Sequence, residues 1–268
     1  MSNQLRKLRE LAKTEPKKAI KIAMDSFGIR PQTMPSEEAK LILAKGKTID
    51  FADGIVATEW GSGKTIALFH GWGAQRGRLT GFVEPLLSAG YRLVAVDARA
   101  HGDSAGDKTN AVDYAEMVLA VSKEIGDLEA VIAHSMGAGA AVYALRLGMQ
   151  VDKLVLLAGA YNWEYQIKIF AKMMGFSPEL QDDFYSYARN MINQDDAWGN
   201  VAPFASSFKQ EALIFHDKED KTVPYQDSLE LAQNWQNSKL ISLQGLGHSD
   251  LVTDKGVIKK SVDFICDK

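Results

Sequence analysis

The sequence predicts an α/β protein: a mainly parallel, doubly wound sheet with a small helical cap and a helical extension at the N-terminus. Three observations lead there. Six short runs are nearly continuous in apolar residues rather than alternating: "TIALFH" (65–70), "YRLVAVD" (91–97), "EAVIAHS" (129–135), "DKLVLLAG" (152–159), "EALIFHD" (211–217) and "KLISLQG" (239–245). That is the pattern of parallel strands covered on both faces. Helical stretches at about 79–88, 110–125, 137–147, 224–236 and 250–265 separate most of these runs, and alternating strand and helix implies a doubly wound sheet. One interval, residues 160–208, breaks the rhythm and holds 11 of the chain's 24 aromatic residues.

The N-terminal segment, 1–46, reads as helical. Leu5, Leu8 and Leu11, then Ile20, Ala23 and Phe27, recur at three- and four-residue steps, so each helix has one apolar stripe. Pro16, Pro31 and Pro35 punctuate it. Through Arg30 there are eight Lys or Arg against three Asp or Glu. A solvated basic face on an extension docked to the main domain accounts for this; a membrane-surface or partner contact is the sharper alternative. "TIDFADGIVATEW" predicts a hairpin, because Asp53-Gly54 supplies turn residues that tolerate positive φ. Further on, Trp163, Tyr165, Phe170, Phe176, Phe184, Tyr185, Tyr187 and Trp198 crowd the interval 160–208. So many aromatics are not left in water, so the interval reads as a helical cap lying over the sheet, its aromatics mostly a mutual core. The expected organisation is an extension over 1–46 and a main domain over 47–268, with the cap inserted at about 160–208.

Bulk properties exclude several classes. With 268 residues and 46% hydrophobic content the chain can bury a full core. A net charge of -3 argues against a nucleic-acid binder. The lone cysteine, Cys266, cannot form an internal disulfide, so nothing points to an oxidising compartment. No apolar run is long enough for a transmembrane helix, and the first residues lack the apolar core of a secretory signal. A cytoplasmic location is therefore expected.

Two motifs compete near residue 60. Gly61-Ser62-Gly63-Lys64-Thr65 resembles the end of a phosphate loop, but the first glycine of that motif would fall at residue 58, which is Thr58. Lys64-Thr65 also leads into a strand, whereas a phosphate site needs a helix N-terminus. Gly61-Ser62-Gly63 is then a tight turn between strands. His70-Gly71-Trp72-Gly73 follows directly on a buried strand and offers backbone N–H groups at the sheet's carboxyl edge, where open α/β sheets bind ligands.

"EAVIAHSMGAGAAVYALRLG" reads as strand, tight turn, helix, with Ala133-His134-Ser135-Met136-Gly137 at the turn. This is a nucleophile-elbow pattern with Ala in place of the first Gly; it lifts the Ser135 hydroxyl clear and aims the Met136 N–H at the same point. An ordinary turn with a serine N-cap is the plainer reading. Serine needs a base and the base an orienting acid. All five histidines (His70, His101, His134, His216 and His248) fall at or just beyond predicted strand ends. His248, in the compact "GLGHSD" loop after the last strand, is the candidate base; the others are expected to orient loops or satisfy carbonyls, and none has metal-ligand spacing on a helix. For the acid, Asp217, Glu219 and Asp220 compete in "HDKEDKTVP", and Asp220 is favoured because Thr222-Val223-Pro224 would hold it in a fixed turn.

The order serine, acid, histidine belongs to one fold family, and from about residue 48 onward the chain resembles the α/β-hydrolase superfamily. His70-Gly71-Trp72 is similar to its oxyanion loop, "DARAHGDS" (97–104) to its Asp-x-Arg-Gly-His-Gly-x-Ser segment with Ala100 for a Gly, and Ala133-His134-Ser135-Met136-Gly137 to its elbow. "HDKEDKTVP" is similar to its acid loop, with Asp217 where Gly is common, and "GLGHSD" to its histidine loop. The resemblance implies a serine hydrolase with a Ser135–His248–Asp220 triad and an oxyanion hole from the N–H groups of Trp72 and Met136. It implies a small-molecule ester or related acyl substrate; the cap suggests a bounded pocket and hence modest acyl chains, and no cofactor or metal is expected. Carboxylesterase leads; thioesterase, lipase, amidase, C–C bond hydrolase and a non-catalytic binding protein remain open.

Overall fold

The apolar runs become strands because both of their faces are covered. All five residues of β3 are buried, as expected when parallel strands are flanked by helices. The computed structural model describes residues 3–27, 33–192 and 198–267; Arg30 and Pro31, noted above, lie outside them. In chain order the strands are β1 (Lys47–Phe51), β2 (Ile55–Trp60), β3 (Thr65–Phe69), β4 (Arg92–Val96), β5 (Leu128–His134), β6 (Lys153–Leu157), β7 (Glu211–Asp217) and β8 (Ser238–Leu243). The helices are α1 (Asn3–Thr14), α2 (Pro16–Phe27), α3 (Glu37–Leu43), α4 (Val83–Ser88), α5 (Ala111–Ile125), α6 (Met136–Arg146), α7 (Trp163–Met174), α8 (Pro178–Ile192), α9 (Tyr225–Asn234) and α10 (Lys255–Ile265).

The chain divides into two compact units, Pro31–Tyr161 with Val201–Lys268, and Met1–Arg30 with Asn162–Asn200. The first holds one sheet in the order β1-β2-β4-β3-β5-β6-β7-β8. β1 and β2 form the expected hairpin, turned at Asp53 (φ 58) and Gly54 (φ 69). β2 is antiparallel to β4, and every pairing from β4 to β8 is parallel. The Gly61-Ser62-Gly63 turn links β2 to β3, which flank β4 on either side rather than pairing with each other. Ile66, Leu68, Leu93, Ile132, Val155, Leu157 and Phe215 from the strands pack with Phe82, Leu86, Val252, Val257 and Ile265 in one core.

Two helical stretches are more broken than their periodicity predicts. Residues 76–82 form a 3-10 turn before α4; Pro85, in the first turn of α4, has no N–H with which to extend the helix backward. Asp250–Val252 is likewise a 3-10 turn, and α10 proper starts where the Asp254 carboxylate accepts from the N–H of Val257, an N-cap that satisfies one orphan donor.

The second unit joins α1 and α2 to α7 and α8. Ala19, Ile20, Ala23, Ala171, Phe176, Leu180 and Phe184 are buried together, with Leu8, Leu11, Ala12 and Phe170 packed on them. Pro16 opens α2, where a missing N–H costs nothing. Gly175 (φ 87) closes α7, and the Arg9 guanidinium donates to the carbonyls of Met173 and Met174 there, placing a cation at the negative end of the helix. An Asn162–Asn200 bridge holds the ends of the 162–200 segment together. Among the described residues no helix is long and apolar enough to cross a membrane.

Candidate active site

Strand register brings distant residues to one edge. Phe69 is level with Ala133, His134 with Leu157, and Leu157 with Phe215. The loops that leave β3, β5, β7 and β8 therefore emerge together at the sheet's carboxyl edge.

Ser135 stands between β5 and α6 with φ 53 and ψ -120, a conformation an L-residue holds only under strain, here of the kind that raises a nucleophile out of the sheet. Its N–H donates to the Leu157 carbonyl at 2.8 Å, and its carbonyl accepts from Gly139 and Ala160, so the strained turn is held on both sides. Gly137 is required by close approach: a Cβ there would lie 2.3 Å from the His70 carbonyl oxygen and 2.7 Å from that of Phe69. What the second small residue of the motif makes room for is the end of β3.

The Ser135 hydroxyl donates to His248 Nε2 at 2.9 Å, and His248 Nδ1 donates to Asp220 Oδ2 at 2.7 Å. The tautomer follows from the partners, since only a protonated Nδ1 can bond a carboxylate while leaving Nε2 to accept. The His248 side chain is 14% exposed and that of Asp220 fully buried. Asp220 Oδ1 accepts from the N–H groups of Thr222 and Val223 at 2.7 and 3.0 Å, the fixed turn expected from the sequence. Burial opposes ionisation of Asp220, but donors from His216, His248 and the Val223 backbone outweigh it and hold the carboxyl well below the usual range.

The loop carrying Trp72 is pinned against Ser135. A Cβ on Gly71 would sit 2.9 Å from Ser135 Cβ. His70 Nδ1 donates to the Gly71 carbonyl at 2.7 Å while its Nε2 accepts from the Ala98 N–H at 3.0 Å. His101 Nε2 accepts from the Gly73 N–H at 2.9 Å, and the Tyr114 hydroxyl donates to the His70 carbonyl. Asp97 takes the backbone N–H of Arg76 and pairs with its guanidinium. Burial, reinforced by His101, pushes His70 down to about 3, so its ring is a neutral staple. Met136 is the first residue of α6, a position whose N–H has no intrahelical partner.

A model of the alpha/beta hydrolase family matches residues 66–258. The chain belongs to the alpha/beta hydrolase family. Over 246 residues it is 24% identical to the AB hydrolase superfamily protein YisY of Bacillus subtilis, covering 75% of this chain and 91% of that one. Among solved structures it is similar to the esterase Pf2001 of Pyrococcus furiosus, with a TM-score of 0.65 at 21% identity, covering 90% of this chain and 96% of the esterase. It is also similar to the esterase EaEST of Exiguobacterium antarcticum, with a TM-score of 0.61 at 21% identity, covering 82% and 99%. At such identities the structures share the fold.

Within this hydrolase framework, the structure brings Ser135, His248 and Asp220 together and leaves the rival acids elsewhere. Asp217 Oδ1 accepts from the Glu219 N–H at 2.7 Å and Oδ2 from the Leu246 N–H at 2.6 Å, so its buried carboxylate ties the acid loop to the histidine loop. Glu219 accepts from Gln244. His134 Nε2 donates to the carbonyl of His248 at 3.0 Å, and burial, with the nearby His248 ring adding, pushes His134 down to about 3. His134 satisfies a backbone carbonyl, as expected of it; that the carbonyl is that of His248, and that Asp217 ties the same loop, was not specified by the sequence, where Asp217 standing in place of a common Gly was the available signal. Among the described residues no cluster of three or more His, Cys, Asp or Glu has the geometry of a metal site.

Proposed function

We propose that this chain is a serine hydrolase cleaving carboxylic esters of small to medium acyl chains through an acyl-enzyme. The observation that supports this best is the continuous hydrogen-bonded path from Ser135 through His248 to Asp220, at 2.9 and 2.7 Å. In this reading His248 takes the Ser135 proton as the oxygen attacks the ester carbonyl. The oxyanion is received by the N–H groups of Met136 and Trp72, each worth on the order of 3 kcal/mol. His248 then protonates the leaving alcohol, and water activated by the same ring releases the acid. Asp220 holds the tautomer and stabilises the imidazolium without itself taking the proton.

Esterase neighbours support a small-molecule ester as substrate. The preference for modest acyl chains rests on reading the aromatic-rich 160–208 segment as a cap. A panel of p-nitrophenyl esters from acetate to palmitate, with matched thioesters and anilides, tests both points. Highest kcat/KM is expected on short and medium esters. A best rate on long-chain emulsions overturns the chain-length proposal, and a best rate on thioesters or anilides overturns the ester proposal.

A further inference from the structure

Behind Asp220 stands a second imidazole. His216, fully buried at the end of β7, brings Nε2 to 3.2 Å from Asp220 Oδ2, the same oxygen that accepts from His248, and to 3.1 Å from the Val223 carbonyl. Its Nδ1 lies 2.7 Å from the Ser228 hydroxyl on α9. Nε2 faces two acceptors, so it carries a proton whatever the charge on the ring. Asp220 Oδ1 accepts from Thr222 and Val223 and Oδ2 from His248, while the His216 Nε2–H, bonded to the Val223 carbonyl, stands 3.2 Å from that same Oδ2.

We propose that His216 is a positioning residue of the active site: its N–H shares Asp220 Oδ2 with His248, fixing the carboxylate from behind and limiting how strongly it stabilises a protonated His248. The inference rests on the triad reading above. Two donors on one oxygen divide its negative charge, so each bond is weaker than it would be alone. With His216 in place the carboxylate draws less strongly on His248. Ser228 holds the His216 ring in the required orientation. The other titratable groups here are His134 of β5, with ring centroids 4.9 Å from His248, and Arg78, which donates to the Ser249 carbonyl. Tyr225 of α9 lies edge-on to His216 at 5.9 Å; Asp217, in the same loop, is occupied by backbone N–H groups. Beyond these, Asp227 of α9 acts on the buried Tyr161 hydroxyl. None of them donates to Asp220.

The test compares full-length wild type with His216→Phe, which removes the N–H, and His216→Gln, whose amide can reach toward Asp220. Where His216→Phe does not fold, His216→Asn replaces it, since its amide ends too early to reach. Two readouts are taken: the pH profile of kcat/KM on p-nitrophenyl butyrate, and the low-field proton resonance of the His248–Asp220 bond, which needs no turnover. Loss of the N–H is expected to move the acid limb up by about one pH unit. It is also expected to lower kcat roughly tenfold with KM little changed, and to shift the resonance to lower field. Gln restores all three toward wild type. An unmoved acid limb and resonance in a folded His216→Phe or His216→Asn, with only the melting temperature lowered, overturns the proposal. A wild type inert to esters refutes the esterase reading instead, and the resonance then still decides the role of His216.

Discussion

At the carboxyl edge of the sheet the buried side chains are largely polar: His70, Asp97, His101, His134, His216 and Asp217 are each at most 5% exposed, and each bonds a loop backbone or a charged partner. In the helical unit the buried side chains include Ile20, Phe176, Leu180 and Phe184, which pack on one another. One region uses burial to sharpen hydrogen bonds, since a dry site makes each polar contact stronger and each unmet one costlier. The other uses it for packing alone. Substitutions in the two regions should therefore fail in different ways: at the sheet edge by loss of chemistry in a folded protein, in the helices by loss of stability.

The largest effect expected from that difference is at Asp220. Asp220→Asn keeps the shape but lets the amide face His248 with the wrong partner, and kcat is expected to fall by about 10⁴-fold while the melting temperature changes little. Steady-state kinetics with calorimetry checks this, and a fall in both would blur the contrast. Next is Phe184→Ala, which empties a site packed by Phe170 and Phe176. It is expected to cost about 3–5 kcal/mol in denaturant unfolding and to leave the rate of Ser135 acylation within about threefold, because Phe184 packs within the apolar cluster of the helical unit and makes none of the bonds that hold Ser135, His248 and Asp220.

The most gradual effect, spread over several pH units rather than set by one substitution, is a pH dependence. His70 and His134 are each held near 3 by burial, below the unfolded value of about 6.5. Their stabilising effect is complete above that value and is lost as pH falls, because the unfolded chain takes up protons that the folded one refuses. Each contributes a slope of up to about 1.4 kcal/mol per pH unit below pH 6.5. Unfolding free energies measured from pH 7 down to 4 should decline accordingly. A flat profile would mean that neither ring is kept neutral.

The same contrast explains how much was legible in the sequence. The sheet edge is built from short local patterns: an apolar run, a glycine or alanine, then one polar residue. Such stretches dictate their own turns, so Ser135, His248 and Asp220 could be picked out and all three lie within one bonded path. The turn at Asp53-Gly54 was legible for the same reason. What a pattern cannot reveal is which buried partner a loop side chain finds. His216 at 3.2 Å from Asp220, and Asp217 under Leu246, depend on register between β7 and β8 and on the packing of α9. The helical unit was least legible. α1 and α2 announce apolar stripes and the 162–192 segment a density of aromatics, but neither names what it meets, and they lie some 150 residues apart in the chain, as with Arg9 and Met174 at a separation of 165.

The central claim is that His248 and Asp220 make the Ser135 hydroxyl a nucleophile. Mass spectrometry after treatment with a fluorophosphonate tests it most directly. One adduct per chain is expected, on the peptide containing Ser135, absent in Ser135→Ala and strongly reduced in His248→Ala. An unmodified Ser135 in folded wild-type protein, or an adduct that persists in Ser135→Ala, would contradict it.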